Sequence, residues 1–458
     1  MPIDFHLSPS EAATRAAASA FAQDVLVRAR ATYAAHTSHK ARFQATQPAY
    51  ATAVAQGLIK AQVSPGLGGA AGSLTESALL VEEFYAVEPS AAITIFSTGL
   101  GLTPLNLVGD ADGTKAEFLA PFLAGTGSGA PLASLVFSEP GGVANWLERG
   151  GAGLNTTARR DGDEWVLNGE KIWATNCAGW DFRGADLACV VCRDVTDSTG
   201  TGTGQDESGE RTAAAAGSGS GNGNTEAGDP SDNIMILLVT RADLERNGPG
   251  AFEVIRELET MGHTSASGPH IRYRDVRVPG KNVLCKPGTG AAIVNASFDC
   301  TAVLVGAMSV GIMRAAFEAA LAFAKGDDRR GAVPLLERQA VADLLSGIKM
   351  QVEACRALTW KAAHAMEHGP GDYNARRELA LAAKVYCSDN AVKAVTDAIN
   401  VVGITAYDTR QPFADLLANA MALPIFDGGN VGVRRRHLQQ LMLNPAYDPW
   451  AATFGPSK

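Results

Sequence analysis

The segment PIFDGGNVGVRRRHLQQLM, residues 424–442, carries side chains suited to acid–base chemistry. Asp427 stands before Gly428 and Gly429, which allow the backbone to turn or to approach a ligand without a Cβ clash. A carboxylate at the start of a helix can serve as a catalytic base or as an ordinary N-cap. Arg434 follows seven residues later, so a continuous helix would place it on the same side as Asp427. The run of three arginines is otherwise typical of a solvated helix face.

Two earlier segments carry groups that could hold a planar heterocycle. In FSEPGG, residues 137–142, Ser138 and the amides after Pro140 could donate hydrogen bonds, although the same residues suit a simple turn. In NGEKIWATN, residues 168–176, Trp173 could cover a ring while Thr175 donates to its edge. A tryptophan in a strand is more often a core residue. Neither segment decides the matter alone.

The hydrophobic period divides the chain into three domains. Residues 1–133 have a helical period, with Ser8 or Ser10 and then Ser73 or Thr75 as candidate caps. Residues 134–290 alternate with a period of two, and Asp161-Gly162 is a candidate hairpin turn. Residues 291–458 return to the helical period, with helices predicted at 297–325, 334–367, 372–402, 411–422 and 431–442. The expected fold is α+β: a helical domain, a small antiparallel β domain and a C-terminal four-helix bundle.

An insertion of about 196–232 interrupts the β domain. Its Gly, Ser, Thr and acidic residues cannot bury a core, and apolar runs that read as strands flank it. The composition predicts a long flexible hairpin loop that takes no part in chemistry.

Composition and charge exclude several classes of protein. The 458 residues carry a net charge of −9, which opposes binding to a nucleic-acid backbone. Seven cysteines, an odd number, predict buried thiols in a reducing compartment and no metal site. The apolar stretch 302–324 contains Arg314 and Glu318, so it predicts a buried helix and no membrane contact. With no signal peptide recognisable at the N-terminus, a cytoplasmic location is expected.

The motifs in their order resemble the acyl-CoA dehydrogenase superfamily over essentially the whole chain. The resemblance rests on FSEPGG, then GEKIWATN, then MGHTSASGPHIRYRDVRVP, then an acidic residue and glycine before a last helix. Within that superfamily, SEPGGVANWLERGGAGLNTTAR, AGWDFRGADLACVVCR, FDGGNVGVRRR and DPWAATFG are similar to the nitroalkane oxidase branch.

This resemblance implies a flavoenzyme that uses FAD to oxidise a small neutral nitroalkane to an aldehyde or ketone. Nitrite would be released and O2 would return as H2O2. The implied catalytic residues are Asp427 as base, Arg434 as its partner and Thr301 near both. The implied cofactor-binding residues are Ser138, Trp173, Thr175, Arg329, Gln339 and Gly403. Arg329 and Gln339 match positions that hold the FAD of a neighbouring subunit, which implies a homotetramer.

The sequence also departs from the superfamily's pattern, and other functions stay open. Asp427 stands where acyl-CoA dehydrogenases usually have glutamate, and Thr301 where nitroalkane oxidase carries serine. Ala302 replaces a common arginine, which argues against a CoA thioester substrate. The alternatives are an acyl-CoA dehydrogenase, a DNA-binding flavoprotein of the same superfamily and an inactive scaffold. Few cations follow Arg436, which disfavours the DNA-binding alternative.

Overall fold

The computed structural model describes residues 5–110, 113–125, 129–196 and 228–457. Helices come first, a β sheet follows and a helical bundle ends the chain, as the sequence predicts. Most of the predicted insertion, residues 197–227, lies outside the described residues.

Several N-terminal helices start at residues whose side chains accept hydrogen bonds from the first backbone amides. Ser8 caps the first helix, Pro9–Phe21, and its side chain and that of Glu11 bond each other's backbone in a capping box. Ser73 and Glu76 form the same arrangement at the start of the helix Leu74–Tyr85. The helices of this region are α1 Pro9–Phe21, α2 Val27–Tyr33, α3 His39–Ala45, α4 Gln47–Ala55, α5 Leu74–Tyr85, α6 Pro89–Val108 and α7 Ala116–Leu123.

The central sheet is mainly antiparallel, with two parallel pairings that the sequence did not predict. Its strands are β1 Ala133–Val136, β2 Thr157–Asp161, β3 Glu164–Lys171, β4 Leu187–Asp194, β5 Ile234–Thr240, β6 Phe252–Arg256, β7 His270–Pro279 and β8 Val283–Cys285, with α8 Arg241–Asn247 after β5. The hairpin between β2 and β3 forms, with Gly162 at φ 63. β1 and β2 run parallel to β4. Alternation reports which side chains are buried, whereas the connections fix strand direction, so a purely antiparallel sheet was wrong.

Strands β4 and β5, which flank the insertion, are antiparallel neighbours whose last pair is Arg193 and Ile234. Deleting residues 200–227 and joining the ends with a short Gly-Ser turn should therefore leave thermal stability nearly unchanged. Each doubling of loop length costs only about 0.6 kcal/mol, so shortening removes little. The midpoint of thermal unfolding tests this. A fall of many degrees would show that the insertion stabilises the fold.

The C-terminal bundle is built from four helices of unequal length: α9 Gly290–Gly326, α10 Gln339–His368, α11 Tyr373–Val402 and α12 Phe413–Ala422. A π-helical turn, Asn430–Arg434, leads into α13 Arg435–Leu443, and α14 Ala451–Phe454 ends the fold. Helix α9 packs against α10 and α11 and also against α5 and α6. The bundle therefore shares its core with the N-terminal domain.

Helices α6 and α9 are long and apolar enough to cross a membrane by length and composition. In each, 67% of the most apolar window is buried inside the protein, which is the packing of a core helix. All seven cysteines are free, and all but Cys300 are buried, which confirms the expectation of buried thiols.

Candidate active site

Asp427 lies on a strained turn between α12 and the π-helical turn. Its φ is 53, a left-handed conformation that aspartate tolerates better than most residues. Gly428 has φ 76, and a Cβ there would come within 2.8 Å of the Arg434 side chain. The N-cap of the π-helical turn is Gly429, with no side-chain cap. The N-cap interpretation of Asp427 is therefore wrong, and its carboxylate is available for chemistry.

The Asp427 carboxylate is buried between two donors from other parts of the bundle. Its Oδ1 accepts a hydrogen bond from Thr301 Oγ1 on α9 at 2.6 Å. Its Oδ2 accepts one from Arg434 Nη2 at 3.2 Å, and only 4% of the side chain is exposed. The structure thus brings together the three residues that the sequence proposed as catalytic.

Arg434 is 1% exposed and uses all three guanidinium nitrogens. Nε donates to the Asp427 carbonyl at 2.9 Å, and Nη2 also donates to the Phe298 carbonyl at 2.9 Å. Its neighbours are paired as well, Arg435 with Asp389 and Arg436 with Asn145. The reading of the arginine run as a solvated face was therefore wrong for Arg434.

A second buried carboxylate, Asp299, lies on the far side of Arg434. Arg434 Nη1 is 3.4 Å from Asp299 Oδ1, and Arg377 Nε is 2.8 Å from Oδ2. Tyr373 OH donates to Oδ2 at 3.0 Å, and Asp299 is fully buried. Sequence reasoning missed Asp299. An acidic residue within an apolar helix was the signal that could have found it, because buried carboxylates need partners.

The site controls the charge of Asp427. Burial raises the pKa of its carboxyl above the ordinary value, while Arg434, the Thr301 hydroxyl and Lys384 counteract part of this rise. A base of this kind is stronger than an exposed aspartate and still has cations nearby to stabilise its ionised form.

Ser138, Trp173 and Thr175 lie together at the end of β3. The amide of Ile172 donates to the Ser138 carbonyl at 2.9 Å, and the amide of Trp173 donates to the Gly268 carbonyl at 3.2 Å. Ser134 Oγ donates to the Thr175 carbonyl at 2.7 Å. Trp173 has φ 65 and is 59% exposed, so its reading as a core residue was wrong.

Ser138, Trp173 and Thr175 form one wall of the site. A buried ion pair supports this wall, and sequence reasoning missed that pair too. Lys171 Nζ and Glu139 Oε1 are 3.0 Å apart, and both side chains are almost fully buried. Lys171 also donates to the Phe137 carbonyl at 2.8 Å, so the pair fixes the backbone on both sides of Ser138. The signal was present in both motifs, as an acid in SEP and a lysine in GEK.

The wall and the Asp427 site are neighbours. The Phe137 and Phe298 rings are 5.6 Å apart, and the Phe298 carbonyl bonds Arg434. Among the described residues, the hydroxyls of Ser138 and Thr175 make no hydrogen bond and remain available to a ligand. An exposed indole beside two unpaired donors fits a planar ring system with a polar edge, which is the chemistry of a flavin.

Arg329, Gln339 and Gly403 lie at the other end of the bundle. Arg329 donates to Thr405 Oγ1 at 3.0 Å and to the Val402 carbonyl beside Gly403. Gln339 begins α10 and bonds Asp343. The helix α9 between Asp299 and Gly326 is about 40 Å long, so one chain does not bring these residues to Asp427. Their role toward a neighbouring subunit stays a prediction.

Ala302 packs in a fully buried cluster with Ala362, Ala363, Ala380 and Ala383. A larger side chain would not fit among these small residues without displacing them.

Two family models match the chain. The N-terminal domain of acyl-CoA dehydrogenase matches residues 8–126, and the C-terminal domain of acyl-CoA dehydrogenase matches residues 288–443. Together they cover more than half of the chain.

Two relatives that match over nearly the whole length of the chain are nitroalkane oxidases. The enzyme of Podospora anserina is 64% identical over 456 residues, covering 99% of each chain, and its structure superposes with a TM-score of 0.90. The nitroalkane oxidase of Fusarium oxysporum is 45% identical over 457 residues, covering 100% of this chain and 98% of its own. A nitroalkane oxidase with an active-site aspartate changed to asparagine, crystallised with 1-nitrooctane, is 44% identical. It covers 99% of this chain and all of its own, with a TM-score of 0.90.

Residue spacing in these structures matches the site. In another solved nitroalkane oxidase, the roles of an arginine and an aspartate in the reaction of the flavoprotein were analysed. These two residues stand seven positions apart, like Asp427 and Arg434 in this chain. An active-site serine changed to alanine in another stands 126 residues before that aspartate, the separation between Thr301 and Asp427.

Proposed function

The chain belongs to the nitroalkane oxidases within the acyl-CoA dehydrogenase family, and on that premise we propose that it oxidises small neutral nitroalkanes with FAD as cofactor. One observation carries the proposal: a buried aspartate that bonds Thr301 and Arg434 beside a wall suited to a flavin. A nitroalkane needs only such a base, because its α-hydrogen is acidic and the carbanion delocalises onto the nitro oxygens.

The proposed reaction balances without a metal. A primary nitroalkane, water and O2 give an aldehyde, nitrous acid as nitrite and a proton, and H2O2. Secondary nitroalkanes give ketones by the same route. When bound, the flavin supplies the electron acceptor that passes two electrons to O2.

Each residue of the site has a separate task in the first step. Asp427 removes the α-proton and must be ionised to do so. Arg434 keeps a positive charge beside the carboxylate before the transfer and fixes its orientation through the Asp427 carbonyl. The Thr301 hydroxyl donates to the other carboxylate oxygen and so fixes the orientation of the carboxylate from the α9 side.

Purified protein is expected to be yellow, with one FAD per chain, and to elute as a homotetramer. The flavin follows from family membership and from Ser138, Trp173 and Thr175. We infer the tetramer from Arg329 and Gln339, which match positions that hold the FAD of a neighbouring subunit and which lie far from Asp427 in this chain. Absorption spectroscopy with light scattering tests both expectations. A colourless monomer that cannot be reconstituted with FAD would contradict them.

A small nitroalkane added without O2 tests the function directly. It should bleach the flavin and release nitrite, and O2 should then restore the colour and yield H2O2. An acyl-CoA thioester is the comparison substrate, because an acyl-CoA dehydrogenase would be bleached by it and reoxidised slowly. The buried alanine cluster around Ala302, where acyl-CoA dehydrogenases commonly have arginine, favours the nitroalkane.

Seven free thiols and a net charge of −9 support two further proposals. We place the enzyme in the cytoplasm and expect no binding to nucleic acid. Gel-shift assays at two salt concentrations test the second, since backbone binding would weaken steeply with salt.

A further inference from the structure

Lys384 is a fully buried cation that the mechanism above does not use. It lies on α11, and its Nζ donates to Asn430 Oδ1 at 2.6 Å and to the Gly428 carbonyl at 3.1 Å. A third, longer bond runs to the Pro424 carbonyl at 3.4 Å. An ammonium group has three N–H donors, and here three oxygens receive them. Two of these oxygens belong to the backbone on either side of Asp427.

Asn430 extends this attachment into α11. Its side-chain amide donates to Ser388 Oγ at 2.9 Å and to Asp389 Oδ1 at 2.8 Å. Its backbone amide donates to the Pro424 carbonyl at 2.8 Å. The turn that holds Asp427 at a positive φ is thus tied to a long helix by two buried side chains. A strained backbone conformation of this kind is stable only when the surrounding contacts hold it, and Lys384 and Asn430 supply such contacts here.

The charges around Lys384 favour its protonated form only in part. The pKa of Lys384 is lowered to about 8, mainly by burial and also by Arg434, against the opposite effects of Asp427 and Asp389. Asp389 also forms an ion pair with Arg435, which weakens the stabilisation that Asp389 gives to protonated Lys384. At neutral pH Lys384 therefore carries a positive charge, and it is one of the cations that counteract the raised pKa of Asp427.

Resting on the proposed function, we infer that Lys384 is a positioning residue for the catalytic base. Through Asn430 and the carbonyls of Pro424 and Gly428 it fixes the turn that aims Asp427, and its charge stabilises the ionised carboxylate. Arg434 orients the carboxylate from the π-helical turn, and Lys384 holds the same segment from α11. Lys384 itself does not touch the substrate.

Two variants separate the two tasks. Lys384→Gln keeps donors for the turn but removes the charge, so the acid limb of kcat/KM for a neutral nitroalkane should move up by about one pH unit. Lys384→Met removes both, and should shift the limb similarly while lowering the plateau by about tenfold. Oxidation of a preformed nitronate, which needs no base, should be little changed in Lys384→Gln.

Difference infrared spectra give a readout without turnover. The protonated Asp427 carboxyl band, identified by its loss in Asp427→Asn, should titrate at higher pH in Lys384→Gln than in the unmodified enzyme. Lys393→Met is the matched control, because Lys393 lies exposed on the same helix and pairs with Asp397. It should match the unmodified enzyme in every measurement.

The outcomes distinguish this inference from the proposed function. If the unmodified chain releases no nitrite from nitroalkanes, the proposed function fails. If it does, but Lys384→Gln keeps the unmodified pH profile and carboxyl titration, the inference about Lys384 is overturned. If the Lys384→Met protein does not fold, the Lys384→Gln protein alone tests the inference, because the glutamine amide can still donate hydrogen bonds to the turn. An equal loss with neutral nitroalkane and nitronate in Lys384→Gln would likewise overturn it.

Discussion

Changing Asp427 to asparagine is expected to slow the oxidation of a neutral nitroalkane by roughly 100-fold or more, while a preformed nitronate is still oxidised. A positioned general base contributes about 10² to 10⁴ in rate, and the amide cannot accept the α-proton. The amide oxygen can keep the bond from Thr301, and the size of the side chain is conserved. The fold and the flavin wall should therefore survive the change.

Initial rates of nitrite release with the two ionisation states of one nitroalkane measure this effect. Thr301→Ser is the control on the same contact, since it keeps a hydroxyl and should retain most activity. An equal loss with neutral and anionic substrate would show that Asp427 orients the substrate or flavin and is not the base.

The pH dependence follows from the raised pKa of Asp427. The base works only when ionised, so activity on the neutral substrate is lost as pH falls through the pKa of the buried carboxyl. Because burial raises that pKa, the loss begins at a higher pH than an exposed aspartate would give. The nitronate reaction should lack this limb. If oxidation of the nitronate were lost over the same pH range, the group that titrates would not be Asp427 acting as the base.

Changing Arg434 to methionine should cause the largest loss of stability, about 3 to 5 kcal/mol. The change leaves Asp427 and Asp299 buried without the cation between them, and the carbonyl of Phe298 loses its donor. Arg434→Lys should be milder, because it keeps the charge but loses the planar fork that reaches four oxygens. Denaturant unfolding measures the difference.

Arg435→Met is the matched control for Arg434, since the neighbouring side chain is 58% exposed and pairs with Asp389 at the surface. An exposed ion pair contributes about 1 kcal/mol or less. If both methionine variants unfolded alike, Arg434 would not be what stabilises the two buried carboxylates.

The order of helices and strands, the hairpin at Gly162 and the helix caps at Ser8 and Ser73 could be predicted because they depend on residues close in sequence. The grouping of Asp427, Arg434 and Thr301 came from resemblance, since Thr301 is 126 residues away from Asp427. Asp299 and Lys384 were missed because a buried charge becomes recognisable only once its partners are known. The same holds for the pair of Glu139 and Lys171.

The direction of the strands in the sheet could not be predicted from the sequence either. β1 and β4 pair across a long connection, and hydrophobic alternation carries no information about it. The position of Arg329, Gln339 and Gly403 far from Asp427 likewise depends on the length of α9, which sequence period alone fixes only approximately.

The π-helical turn has a consequence for how this chain can evolve. A regular α-helix does not join Asp427 to Arg434; a left-handed residue, two glycines and a widened turn bring them together over seven residues. One residue added or removed there would rotate Arg434 by about 100° away from the carboxylate. Substitutions around the turn can therefore be tolerated, whereas an insertion or a deletion between Asp427 and Arg434 cannot. Insertions must be tolerated elsewhere in the chain, and the separation of seven residues between Asp427 and Arg434 is the one found in a solved nitroalkane oxidase.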